Sequence, residues 1–96
     1  MEVYLALYTD SAYGEHSVSV HMTRGGATKQ LLKWAWCDFN DYFNDESPTN
    51  TKGAEIYSKL SSGTLVELQE GVEWFVETLC RIRDISTDIE TRILIP

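Results

Sequence analysis

The chain has 96 residues, 43% hydrophobic and 11% aromatic, which is enough for one core and one domain spanning residues 1–96. Fifteen acidic against eight basic side chains leave a net charge of −7, which repels phosphate and argues against direct contact with nucleic acid or an anionic membrane. Six glycines and two prolines are too few for a disordered chain, and no apolar run approaches a membrane span, so a soluble cytoplasmic domain is expected.

EVYLALY (2–8) is apolar on both alternations and reads as an interior strand with both faces at least partly covered. TDSAYGE (9–15) carries turn residues. HSVSVHM (16–22) alternates cleanly, which predicts Val18, Val20 and Met22 pointing inward and Ser17, Ser19 and His21 outward. The two segments form a predicted β-hairpin. At Gly25 and Gly26 the period changes. With Thr28 as N-cap, Leu32, Ala35, Trp36, Phe39 and Phe43 make one apolar stripe of a helix from about 27 to 44.

NDESPTNTKG (44–53) reads as a polar loop, and AEIYSKLSS (54–62) as a short helix using Ile56, Tyr57 and Leu60, with Gly63 at its C′ position. Thr64 and Glu67 have capping-box spacing, and Leu65, Leu68, Val72, Phe75, Leu79 and Ile82 then recur at steps of three and four. A helix fits that spacing best, with a hairpin turning at Gln69–Gly71 as the alternative. DIETRILI (88–95) closes the chain as a strand with Ile89, Thr91, Ile93 and Ile95 on one face. The predicted order is β-β-α-α-α-β. The last strand returns beside the hairpin and the helices lie on one side of an antiparallel sheet, an α+β fold.

Charge is unevenly distributed along this order. Residues 1–33 and 78–96 are each neutral, whereas residues 34–77 hold nine acids against Lys52 and Lys59 and so carry the whole surplus. Within that segment WAWCDFNDYFNDES (34–47) combines five aromatic and four acidic residues. On the predicted helices, Trp34, Asp38, Asp41 and Asp45 share one stripe. Glu67, Glu70, Trp74 and Glu77 share another, with Glu73 alongside. Like-charged neighbours at these spacings repel by a few tenths of a kcal/mol. One reading is an ordinary acidic surface whose tryptophans complete the core; the other is an anionic contact surface with aromatic anchors, since interface cores favour tryptophan and a field of one sign speeds association with a basic partner.

Reactive chemistry finds less support. YTDSAYG (8–14) resembles the Thr-Asp-Ser-x-Tyr element of ribonuclease-H-like nucleases, which implies Asp10 as a metal ligand, but a strand pattern follows where that family opens a helix. The EF-hand spacing fails, since a loop starting at Asp38 puts Phe43 where glycine is required. RGGATK lacks phosphate-loop spacing. His16 and His21 fall on opposite faces of a strand, and Cys37 and Cys80 are far apart in sequence, so no zinc site is expected. Two cysteines are also too few for a disulfide scaffold; free thiols are expected, with one structural bridge as the alternative.

The expectation is therefore a small acidic binding protein, not an enzyme and without cofactor, that masks a basic, nucleic-acid-binding protein. Fixed carboxylates can occupy lysine and arginine sites as phosphates do. In size and charge the chain looks like the acidic single-domain inhibitors that phages and mobile elements direct against host nucleases and restriction or CRISPR complexes, although no motif carries over. The alternative is a self-associating accessory domain, a homodimer through the apolar helix face of Leu65, Leu68, Val72, Phe75 and Leu79.

Overall fold

The structure, a computed structural model, describes residues 1–11, 14–43, 47–60 and 62–94. Strands β1 (Glu2–Asp10) and β2 (Glu15–His21) are followed by helices α1 (Arg24–Tyr42), α2 (Pro48–Leu60) and α3 (Leu65–Leu79), then by β3 (Ile85–Ile93). The sheet is antiparallel in the order β2-β1-β3, so the first strand is central and the last returns beside it, as the sequence predicts. Helices α1 and α3 pack together; α1 lies against all three strands and α3 against β3 alone. Helix α2 packs on α1 and α3 and touches no strand.

The helix layer covers one face of the sheet. On it, Ala6 and Tyr8 of β1 and Ile85 of β3 are buried. The orientation of β2 is the reverse of the expected one. Val18, Val20 and Met22 are 59%, 61% and 61% exposed, and Ser17, Ser19 and His21 are half-buried on the side that α1 covers. Register explains the inversion. Ser17 pairs with Tyr8, Ser19 with Ala6 and His21 with Tyr4, so these polar residues share the covered face of β1. Directly paired residues point to the same side of an antiparallel sheet. Val18 and Val20 instead pair with Leu7 and Leu5, on whose face no second layer lies among the described residues. The central strand therefore has one open side, along which Leu5 and Leu7 are half-exposed although Val3 is buried.

Helix α1 starts three residues before the expected boundary. Thr23 is its N-cap, with its hydroxyl accepting from the Gly26 N–H at 3.0 Å. Thr28, the expected cap, is buried in the first turns and donates to the Arg24 carbonyl at 2.8 Å. Leu32, Ala35 and Phe39 of the predicted stripe are buried, joined by Ala27 and Leu31, while Trp36 and Phe43 are half-buried.

Helix α2 replaces most of the predicted polar loop. Ser47 accepts from the Asn50 N–H at 3.1 Å, and Pro48 takes the first helical position, where its missing N–H costs nothing. No apolar stripe marks this segment because a glycine makes the contact. A Cβ on Gly53 would sit 2.3 Å from Cε1 of Phe39. Gly71 of α3 does the same for the other neighbour, since a Cβ there would meet Leu60 Cδ1 at 2.1 Å. The two glycines let three helices close on one another, which offsets the helix-propensity penalty of about 1 kcal/mol each.

Residues 65–79 form one helix with its complete capping box. Leu68, Val72, Phe75 and Leu79 are buried against the other helices, so the apolar face expected to mediate self-association is consumed by the core. Leu65 is exposed, and Ile82 lies beyond the helix end and is exposed as well. β3 starts three residues earlier than predicted, with Ile85 buried; Ile93 is exposed and Ile95 lies outside the described residues. Cys37 and Cys80 are free and exposed.

Candidate functional site

Trp34 and Trp36 are two residues apart on α1 and so point about 160° apart around its axis. Trp36 faces the other helices, stacking on Tyr57 with ring centroids 4.8 Å apart. Trp34 faces the sheet, half-buried with its ring 6.1 Å from that of Tyr8. Asp38, one turn on, follows Trp34. Its carboxylate accepts from the Tyr8 hydroxyl at 2.7 Å and meets Arg83 Nη1 at 3.3 Å. The same guanidinium nitrogen lies 3.2 Å from Asp10, which is 1% exposed, and Arg83 also lies over the Tyr42 ring at 4.4 Å. Burial, and then the hydrogen bond to Asp38, push the Tyr8 phenol far above its ordinary value, so it remains a neutral donor.

These contacts correct the expected acidic stripe on α1. Asp38 is not a free surface carboxylate but part of a partly buried network that joins β1, α1 and the α3–β3 connection. Asp41 is exposed, and Asp45 falls outside the described residues. Asp10, the ligand implied by the nuclease-like element, is engaged by Arg83 at the end of β1, and the chain continues into β2 rather than a helix.

Helix α3 keeps its predicted row. Glu67, Glu70, Glu73 and Glu77 are all exposed; Glu70, Glu73 and Glu77 lie on the side opposite the buried Leu68 and Phe75, and Glu67 at the border of that side. No ion pair involves these four glutamates among the described residues. The Thr64 N–H, and then its hydroxyl, hold the Glu67 carboxyl below its ordinary pKa, so it is charged at neutral pH. Trp74 belongs to this row but is half-buried, 5.1 Å from Phe75 and 5.6 Å from Phe39 between ring centroids. Lys52 Nζ lies 5.6 Å from its ring, within cation–π range.

Three of the predicted residues meet in one groove. Glu67, Glu70 and Trp74 line a depression of about 320 Å³ between α2 and α3, completed by Ile56, Leu60, Gly71 and Lys59. Its floor is apolar and one rim carries two carboxylates. Among the described residues Lys59 is the one cation on the lining, and Glu55 one turn away pairs with it at 3.0 Å. The contribution of α2 was hidden in the sequence because its first half reads as a loop; the short run Ile56, Tyr57 and Leu60 was the available signal. A second groove of about 350 Å³ lies between α1, α3 and β3, with Arg24, Glu73 and Asp88 among its lining residues, and so carries both signs of charge.

Trp34 and Asp38 thus face the sheet, away from the α3 row, and the two stripes do not merge into one surface. Among the described residues no group of three or more His, Cys, Asp or Glu side chains is arranged to hold a metal ion, and no helix is long and apolar enough to cross a membrane. Comparison of the chain with protein-family models, with curated proteins and with solved structures found no match.

Proposed function

We propose that this chain is a non-enzymatic binding protein whose α2–α3 groove and α3 glutamate row receive a basic surface of a partner protein. The juxtaposition of Glu67 and Glu70 with the apolar floor of Ile56, Leu60 and Trp74 carries this reading. An arginine or lysine has an aliphatic stem and a charged head, and such a groove offers surface for both. Glu73 and Glu77 extend the negative field along the helix, which favours fast encounter with a cationic surface. Proteins that bind nucleic acid present such surfaces, and covering one would inhibit it in the manner of the small acidic inhibitors the chain looks like in size and charge.

The test is a titration with a synthetic peptide rich in arginine and leucine, followed by tryptophan fluorescence, with the double variant Glu67→Gln, Glu70→Gln in parallel. The wild-type chain is expected to bind with an affinity that falls steeply with salt, and the variant to bind about tenfold more weakly or worse. Equal affinity of variant and wild type, or insensitivity to salt, overturns the reading. Asp38 is unsuited to such a test because its removal disturbs the Arg83 network.

A further inference from the structure

Backbone hydrogen bonding fixes which groups of β2 face away from the sheet. Leu94 N–H donates to the Met1 carbonyl at 2.7 Å, the Met1 amino group donates to the Leu94 carbonyl at 3.3 Å, and Ser11 N–H donates to the Asp84 carbonyl at 3.0 Å. These pairs continue the register in which Glu2 lies opposite Ile93, so the odd-numbered residues of β1 bond toward β3. Alternation leaves Tyr4, Ala6, Tyr8 and Asp10 to bond toward β2, where they meet His21, Ser19, Ser17 and Glu15. It follows that His16, Val18 and Val20 aim their N–H and C=O groups out of the sheet. Among the described residues no strand lies on that side.

Exposed strand edges are ordinarily guarded by lysine, proline or a bulge. β3, at the other edge, carries Asp88, Glu90 and Arg92. β2 has no lysine, arginine or proline, its seven residues pair with β1 without a bulge, and its outward-bonding residues include the exposed Val18 and Val20.

We propose that β2 pairs antiparallel with β2 of a second copy across a two-fold axis at Val18, giving a six-stranded sheet in the order β3-β1-β2-β2-β1-β3. Centring on Val18 matches the whole strand. Val18 faces its own symmetry mate, His16 faces Val20, Ser17 faces Ser19, and Glu15 faces His21, which sets a carboxylate opposite an imidazole. All three outward residues then exchange backbone hydrogen bonds. Charge does not oppose a second copy as occupant. Residues 1–33, which include the hairpin, are neutral, and the surplus lies in residues 34–77. Helix α3 packs on β3, not on β2, so the two glutamate rows lie toward opposite ends of the assembly. This pairing is independent of the groove reading. A single strand pair is a small interface, so the dimer is of the weak, concentration-dependent class.

Sedimentation equilibrium over a concentration series tests the pairing, using the wild type, Val18→Lys, Val18→Glu and an equimolar mixture of the two variants. Val18 is 59% exposed, so either charge leaves the monomer folded, which circular dichroism checks. The wild type is expected to dimerise, each variant to dissociate at least about tenfold more readily, and the mixture to recover the dimer, because opposite charges then meet at the axis. Hydrogen exchange at the amides of His16, Val18 and Val20 should slow as concentration rises, with Ser17 and Ser19 unchanged. A wild type that stays monomeric at its highest soluble concentration overturns the proposal. So does a dimer that persists in both single variants, or a protection change elsewhere than at those three amides.

Discussion

Replacing Gly53 by alanine should destabilise the protein, although the same change in an open helix stabilises it. Gly53 has no positive φ, so an alanine there meets no backbone strain. Its Cβ would lie 2.3 Å from Cε1, 2.4 Å from Cζ and 3.1 Å from Cδ1 of Phe39. Ordinary carbon contacts are about 3.5–4.0 Å, so the ring or α2 must move by more than about 1 Å. Phe39 has nowhere to go. It is 0% exposed, with the rings of Phe43, Phe75 and Trp74 at 4.8, 5.1 and 5.6 Å. Overpacking of this kind costs about 3 kcal/mol at the upper end, and the helix-propensity gain returns about 1 kcal/mol. The net loss is about 2 kcal/mol, or about 8–15 °C in Tm for a domain this size.

Gly25 is the internal control, because a Cβ there meets nothing within 4 Å. Gly25→Ala should stabilise by up to about 1 kcal/mol. Urea unfolding of both variants, with the m-value constant, measures the difference directly. In a Phe39→Leu background the Gly53→Ala penalty should largely vanish, since the colliding ring atoms are gone. Stabilisation by Gly53→Ala in the wild-type background, or an undiminished penalty beside Leu at position 39, would refute the close-approach account of α2.

The Arg83 network gives two further expectations. Arg83→Leu removes the guanidinium that meets both the 1%-exposed Asp10 and Asp38 and should cost about 3–5 kcal/mol in urea unfolding, with Arg83→Lys costing less; a loss under about 1 kcal/mol would contradict a structural role. Tyr8 keeps its proton in the fold beyond the point where the unfolded chain ionises, so its contribution is complete below about pH 10 and is lost as pH rises further. Tyr8→Phe should flatten the alkaline fall in urea midpoint, and an unchanged slope would count against the buried phenol.

Element order and sheet neighbours were legible in the sequence because β1 is a continuous apolar run of strand length, α1 carries a clear helical stripe, and the capping box with its following apolar repeat favours a helix for α3 over a hairpin. The sidedness of β2 was not. Alternation tells which residues share a face but not which face is covered, and here the pairing of Ser19 with the buried Ala6 decides it. The start of α2 was hidden for a different reason: a helix held by Gly53 shows no hydrophobic stripe. At the site, the α3 glutamates could be placed from spacing alone. Asp38 could not, because its partners Tyr8 and Arg83 lie thirty and forty-five positions away in the chain.

The central position of β1 has a consequence for biosynthesis. Once made, β1 has β2 close behind it in the chain, and its other flank stays open until β3, more than seventy residues later, has been made. A two-stranded hairpin is marginally stable alone in water. The nascent hairpin must therefore wait through synthesis of α1, α2 and α3, with the bonding groups on one side of its first strand satisfied by solvent, and the sheet closes only as β3 emerges.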